Sequence, residues 1–208
     1  MTTLSQAKAM GGVGSILVLL SVVPSVGFIL GIAGLVMVLL AVKQISDSVN
    51  EREIFNNVLM AVILQIVGTA ILTFAVIGGV LSMFAMGSIG GSPFDGYGGY
   101  SGFGMMSDGA VFAFLGFLVV GLIAMWIVLI IAARFLRRGY ERIAVRTGTE
   151  MFGTVGRWYF YGALLAIVLV GLIIILIAEI LQIVAFFSLP ESPPTQPGPQ
   201  QPTGVQPI

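Results

Sequence analysis

The stretch AMGGVGSILVLLSVVPSVGFILGIAGLVMVLLAV, residues 9–42, runs for 34 residues between Lys8 and Lys43 without an ionisable side chain. As one straight helix it would rise about 51 Å, and fitting that into about 30 Å of hydrocarbon needs a tilt of about 54°. Membrane helices usually tilt by no more than about 40°. The stretch must therefore bend, and Pro24 marks the place. It removes a backbone donor and disfavours helical geometry at Val23. Ser25 is positioned to cap a second helix, and Gly27 permits a tight connection. The expectation is a helical hairpin, with one arm over 4–23 and the other over 26–43. Each arm has few strictly apolar residues, so two full spans and a re-entrant hairpin both remain open. Two spans put all nine basic residues on one face, as the positive-inside rule prefers, whereas a re-entrant hairpin strands Lys8.

The rest of the composition agrees with a membrane chain. Apolar residues make up 58% and charged residues 9%, with a mean hydropathy of +1.09. Soluble domains carry about 25% charged residues. For 208 residues this leaves room for one membrane domain over 1–189 and a tail over 190–208. The net charge of zero and the lack of a basic, aromatic-studded surface give no support for nucleic acid as a partner. There is no Cys and no His. That removes thiol chemistry, disulfides, and the commonest metal ligand and general base. Lys8 and the apolar Val13–Val23 have the outline of a signal peptide, but no A-x-A-like site follows, so a retained helix is expected.

Beyond the hairpin, Asn50-Glu-Arg-Glu53 resembles a capping box, and an apolar span follows over 55–86. Its Thr69, Thr73 and Ser82 can bond their own helix backbone, which leaves Gln65 in need of a partner on another helix. Residues 87–109 hold nine glycines in 23 positions and read as a Gly-rich outer loop over 87–108. A fourth span over 109–135 ends in Arg134, Arg137 and Arg138. A connection over 139–156 then carries Arg142 and Arg146, with Thr147 and Glu150 as another possible capping box. The fifth span is expected over 159–189, anchored by Arg157, Trp158, Tyr159 and Tyr161. Seven prolines in the nineteen residues after Leu189 make an extended tail. The fold class is thus all-α, an integral membrane bundle of about five helices. The N-terminus is expected in the cytoplasm and the C-terminus outside the cell membrane.

Glu179 is the one ionisable residue deep in an apolar run, and Gln182 shares its helix face. On a continuous fifth helix Glu179 lies about 30 Å beyond Tyr159, in the outer leaflet and away from Gln65. These three form a candidate intramembrane polar site whose bland reading is structural. Gly27, Gly31 and Gly34 permit close helix approach, as does the Ala7, Gly11 and Ser15 spacing. They serve an oligomer seam or packing within the chain. Arg134, Arg137, Arg138, Arg142, Arg146 and Arg157 are candidate lipid-headgroup contacts, or simply set the topology. No nucleotide, zinc-protease or hydrolase motif occurs, so no catalytic residue, metal or cofactor is expected.

The segments Leu4–Ser46, Glu51–Asn57, Arg146–Phe152 and Gln182–Phe187 resemble a family of small, mainly archaeal membrane proteins catalogued only as a domain of unknown function. The quoted motifs include Gly11-Gly-Val-Gly-Ser15 and Val23-Pro-Ser-Val-Gly-Phe-Ile-Leu-Gly31. The resemblance implies a polytopic helical membrane protein and supplies no activity. The leading expectation is a non-catalytic membrane component that works by packing with itself or another membrane protein. The alternative is a small transporter or channel using Glu179 and Gln182.

Overall fold

The computed structural model describes residues 4–89 and 108–191. Most of the expected Gly-rich loop and nearly all of the Pro-rich tail lie outside the described residues. Within them the chain is an all-helical membrane bundle. Its helices are α1 (Leu4–Leu20), α2 (Gly27–Ser48), α3 (Arg52–Ile89), α4 (Asp108–Thr147), α5 (Met151–Leu165) and α6 (Val170–Phe187). A short 3₁₀ turn, Ala166–Val168, joins the last two. Five segments are long and apolar enough to cross a bilayer: α2, α3, α4, α5 with its following turn, and α6. With 17 residues, α1 rises only about 25 Å.

The helices pair as three antiparallel hairpins, α1/α2, α3/α4 and α5/α6, and these close into a ring. Each helix packs on the next in sequence, and α6 returns to α1. The antiparallel order gathers one end of every helix. Lys8, Lys43, Arg52, the five arginines of α4 and Arg157 all lie at that basic end. The buried cluster sits there too, with Ile45, Ile54, Ile143 and an aromatic chain at its centre. The ring of Phe152 meets Tyr140 edge-on at 5.6 Å between centroids and Phe186 at 5.1 Å. Such pairs add about 0.5–1.5 kcal/mol beyond area burial.

The first hairpin turns around Pro24 as expected, though by different means. Ser25 does not cap α2; it takes a left-handed φ of 74°, and Val26 precedes the helix without a side-chain bond. Gly27 is required because a Cβ there would stand 2.0 Å from the Ser21 carbonyl oxygen. Gly34 lies against Gly14 and Val18, and Gly31 against Ser21, so these glycines seat α2 on α1. The Ala7, Gly11, Ser15 stripe faces α6 instead, and a Cβ at Gly11 would overlap the Phe186 ring.

Three boundaries differ from expectation. Asn50 and Glu53 form no capping box. Asn50 takes a left-handed φ of 53°, Ser46 Oγ donates to the Glu51 carbonyl at 2.8 Å, and Glu53 pairs with Arg142. The connection expected over 139–156 is mostly helix. Gly139 seats α4 against Val58 of α3 rather than ending the helix, and Tyr140 and Ile143 are buried beyond it. Termination falls to Gly148, with a left-handed φ of 69°. Thr147 bonds back to Ile143 and caps nothing, and Glu150 makes no side-chain cap either.

The largest correction concerns 159–189, which is two antiparallel helices rather than one span. Gly162 faces the backbone of Gly171 and Ile175, and Cβ atoms at Gly162 or Gly171 would collide with the opposite chain. Leu169, with a left-handed φ of 63°, reverses the direction. The chain therefore returns to the basic end, where the Lys8 ammonium donates to the Leu189 carbonyl at 3.4 Å. The start of α1 and the end of α6 therefore lie at the same end of the bundle, where a single fifth span would have put them at opposite ends.

Two measurements check this architecture. Single cysteines at Ser5 and Ser188, in a chain that has none of its own, should react with an impermeant maleimide from the same membrane face; opposite accessibility contradicts the α5/α6 hairpin. Gly34→Val should lower thermal stability in detergent by about 1–3 kcal/mol through overpacking. Gly116→Ala, where a Cβ meets nothing within 4 Å, should be neutral or stabilising by about 0.5–1 kcal/mol.

Candidate functional site

Gln182 is buried where α6 meets α1, α4 and α5. Its side-chain oxygen accepts from the hydroxyls of Tyr140 at 2.8 Å and Tyr159 at 2.9 Å. Its amide donates to Ser15 Oγ at 2.8 Å, and Ser15 donates onward to the Gly11 carbonyl at 2.8 Å. Four helices meet at this one side chain, and each named hydroxyl spends its single proton within the node. The helices present these groups for simple reasons. Ser15 falls on the small-residue stripe that receives α6. Tyr140 lies one residue past the glycine that brings α4 against α3. Tyr159 sits opposite Gln182 because the α5/α6 hairpin folds back.

One turn before Gln182 on the same face of α6, Glu179 lines a central cavity of about 160 Å³. All six helices contribute to it, and its walls are mainly apolar: Val18, Leu35, Val62 and Leu129 are among them. An apolar cavity of about 150 Å³ accommodates benzene, so the space suits a compact solute. Gln65, Tyr140, Tyr159, Glu179 and Gln182 supply its polar groups. Glu179 Oε2 is buried and has no hydrogen-bond partner, while the Tyr159 hydroxyl that bonds Gln182 also lies within hydrogen-bond reach of the Glu179 carboxyl. One oxygen of the carboxyl is thus left without a partner inside the cavity.

Glu179, Gln182 and Gln65 are therefore brought together, contrary to the expectation that Gln65 and Glu179 lie at different depths. The physical reason is the reversal at Leu169, which carries Glu179 back past Tyr159 instead of 30 Å beyond it. Gln65 makes no cross-helix hydrogen bond among the described residues; it is exposed at the rim of the cavity. As expected, Thr69, Thr73 and Ser82 bond the carbonyls of Gln65, Thr69 and Gly79. Sequence reasoning missed Tyr140, taken as part of a connection, and Tyr159, taken as an interfacial anchor. It read Ser15 only as a small residue. The available signal was the Gly162 and Gly171 pair, which permits a hairpin and so places Tyr159 opposite Gln182.

The arginines divide into two groups. Arg142 and Arg146 pair with Glu51, Arg142 also with Glu53, and Arg137 with Glu141 at 2.7 Å. Arg137 also lies over the Phe160 ring at 5.6 Å. Arg134, Arg138 and Arg157 have no ion pair among the described residues. Those residues likewise hold no metal-sized cluster of acidic side chains.

Residues 30–180 match the family described as "Protein of unknown function (DUF996)". The chain belongs to this family. A relative from Methanocaldococcus jannaschii, itself described as an uncharacterised protein, is 40% identical over 188 residues, which covers 90% of this chain and 94% of the relative. No solved structure matches. The family match takes in Gln65, Tyr140, Tyr159 and Glu179 and stops just before Gln182.

The node predicts unequal costs on truncation. Tyr159→Phe should cost about 0.6 kcal/mol, the usual worth of one hydrogen bond between membrane helices. Gln182→Leu leaves two buried hydroxyls and Ser15 without their partner and should cost about 2 kcal/mol or more. Thermal unfolding in detergent micelles checks the ranking, and equal midpoints for the two variants contradict it.

Proposed function

We propose that this protein binds a compact cationic solute in its central cavity and moves it across the cell membrane. Glu179 recognises the charge, and Gln182 holds the shape of the site. The observation that carries the reading is the buried, unpartnered Glu179 Oε2, which faces a cavity walled by all six helices. Carboxyls inside membrane domains are expensive and commonly mark ion, proton or substrate paths. Apolar walls around one carboxyl suit a small organic cation, whose hydrocarbon part fills the cavity while its charge meets Glu179.

The role is binding and translocation rather than catalysis. General acid–base work would rest on the single carboxyl of Glu179, with no second carboxyl or imidazole lining the cavity among the described residues. Assembly through a helix seam is the competing role. The residues that would supply that seam, Gly27, Gly31 and Gly34, are occupied by the α1/α2 contact, so nothing specific favours it. The positive-inside rule assigns the basic end to the cytoplasm, together with the start of α1 and the end of α6.

Uptake of radiolabelled tetramethylammonium into proteoliposomes tests the reading, since this cation crosses lipid poorly by itself. Wild-type protein should raise uptake over protein-free vesicles, and Glu179→Gln should lower the protein-dependent part at least about tenfold. That factor corresponds to about 1.4 kcal/mol of lost cation interaction. Uptake that is absent, or unchanged in a folded Glu179→Gln protein, sinks the proposal.

A further inference from the structure

A second polar groove lies on the outer face of the α5/α6 hairpin, separate from the central cavity. Arg157, Trp158 and Tyr161 lie three, four and seven residues after Thr154 along α5, so the four share one stripe. With Ile174 of α6 they line an open groove of about 400 Å³. Their side chains offer a hydroxyl, a guanidinium, an indole N–H and a phenol. None of these groups joins another described residue by a side-chain hydrogen bond or ion pair. Trp158 is 37% exposed and Tyr161 51%.

Position along the helix decides what these donors meet. The segment Met151–Val168 is one of the five long enough to cross a bilayer. Gly156 packs against the backbone of Arg137, which puts Arg157 level with the arginines of α4 at the membrane boundary. Trp and Tyr collect at that depth, with an apolar body toward the chains and a polar edge toward the headgroups. Arg157 differs from Arg137, Arg142 and Arg146 because no carboxylate neutralises it. Beside the aliphatic wall at Ile174, a guanidinium and three neutral donors match a phosphate whose acyl chains run down past Tyr161.

We propose that Thr154, Arg157, Trp158 and Tyr161 form a binding site for the phosphate headgroup of an anionic membrane lipid. The guanidinium contacts the phosphate, the Thr154 hydroxyl and the indole N–H flank it, and the Tyr161 ring lies along the upper part of the chains. Arginine suits this task because its planar fork can donate two parallel bonds to phosphate oxygens.

Trp158 provides the readout, because the chain has only two tryptophans. In a Trp126→Phe background, quenching by brominated phosphatidylglycerol and by brominated phosphatidylcholine compares the two lipids at the groove. The anionic lipid should be preferred about fivefold, the factor that one basic residue near a headgroup contributes. Arg157→Gln should erase that preference while Trp158 remains quenched by both lipids, and Arg157→Lys should keep part of it. Native mass spectrometry of the wild-type chain should show a retained phosphatidylglycerol that Arg157→Gln loses, so the result does not depend on the tryptophan background. Equal quenching by the two lipids, or a preference that survives Arg157→Gln, overturns the proposal. Displacement of the brominated lipid by an equal concentration of free glycerol phosphate assigns the groove to a soluble phosphate and overturns it as well.

Discussion

The bundle is held in register by the amide of Gln182. In a bilayer, apolar surface alone gives helices little reason to prefer each other over lipid, so close packing and interhelical hydrogen bonds decide the arrangement. Gln182 uses both ends of its amide, accepting from Tyr140 and Tyr159 and donating to Ser15. These bonds tie α6 to α4, α5 and α1 at one level. They also fix the rotation of α6, because a turned helix would leave three buried polar groups unmatched. Glu179, three residues earlier, is thereby held toward the cavity. A structural side chain and the proposed recognition group are thus neighbours on one helix face with different tasks.

Glycine sets the second constraint. Gly34 against Gly14, Gly139 against Val58, and Gly162 against Gly171 each bring two helices to a distance that a side chain would prevent. The hairpins differ greatly in reach. At 38 and 40 residues, α3 and α4 rise about 57–60 Å, while the 15 residues of α5 rise about 22 Å. The short hairpins and the basic half of α3/α4 enclose the cavity, and the far part of α3/α4 continues beyond them. Charge is concentrated where the helices converge. Glu51 and Glu53 at the start of α3 meet Arg142 and Arg146 at the end of α4. Isolated pairs at an exposed surface contribute about 0–1 kcal/mol, so this clip matters more for geometry than for stability.

Much of the fold was legible because bilayer physics leaves few choices. Long runs without charge must be helices, and Pro24 had to break the first of them. The unread parts share one cause. The boundaries at Asn50 and Thr147 are not local: Ser46, Ile143 and Arg142 settle them from other turns and another helix. Gly139 looked like a helix terminator and is a contact point, a distinction that depends on what lies across from it. The break near Leu169 carries no proline or polar residue, so hydropathy runs through it unchanged. That single missed turn put Glu179 at the wrong end of the bundle and hid its proximity to Gln65, Tyr140 and Tyr159.

Residue chemistry alone determined that this chain is a helical membrane protein, that its basic residues favour one face, and that Glu179 and Gln182 share a helix face. These follow from hydrophobicity, charge and helical period, which act along the chain. Only tertiary structure decided that α5 and α6 fold back on each other, which places the start of α1 beside the end of α6 and brings Gln65 and Glu179 to one cavity. Glycine pairs and a left-handed leucine make that reversal. Its stability comes from contacts with residues as distant in sequence as Ser15, and no local pattern of residues encodes such contacts.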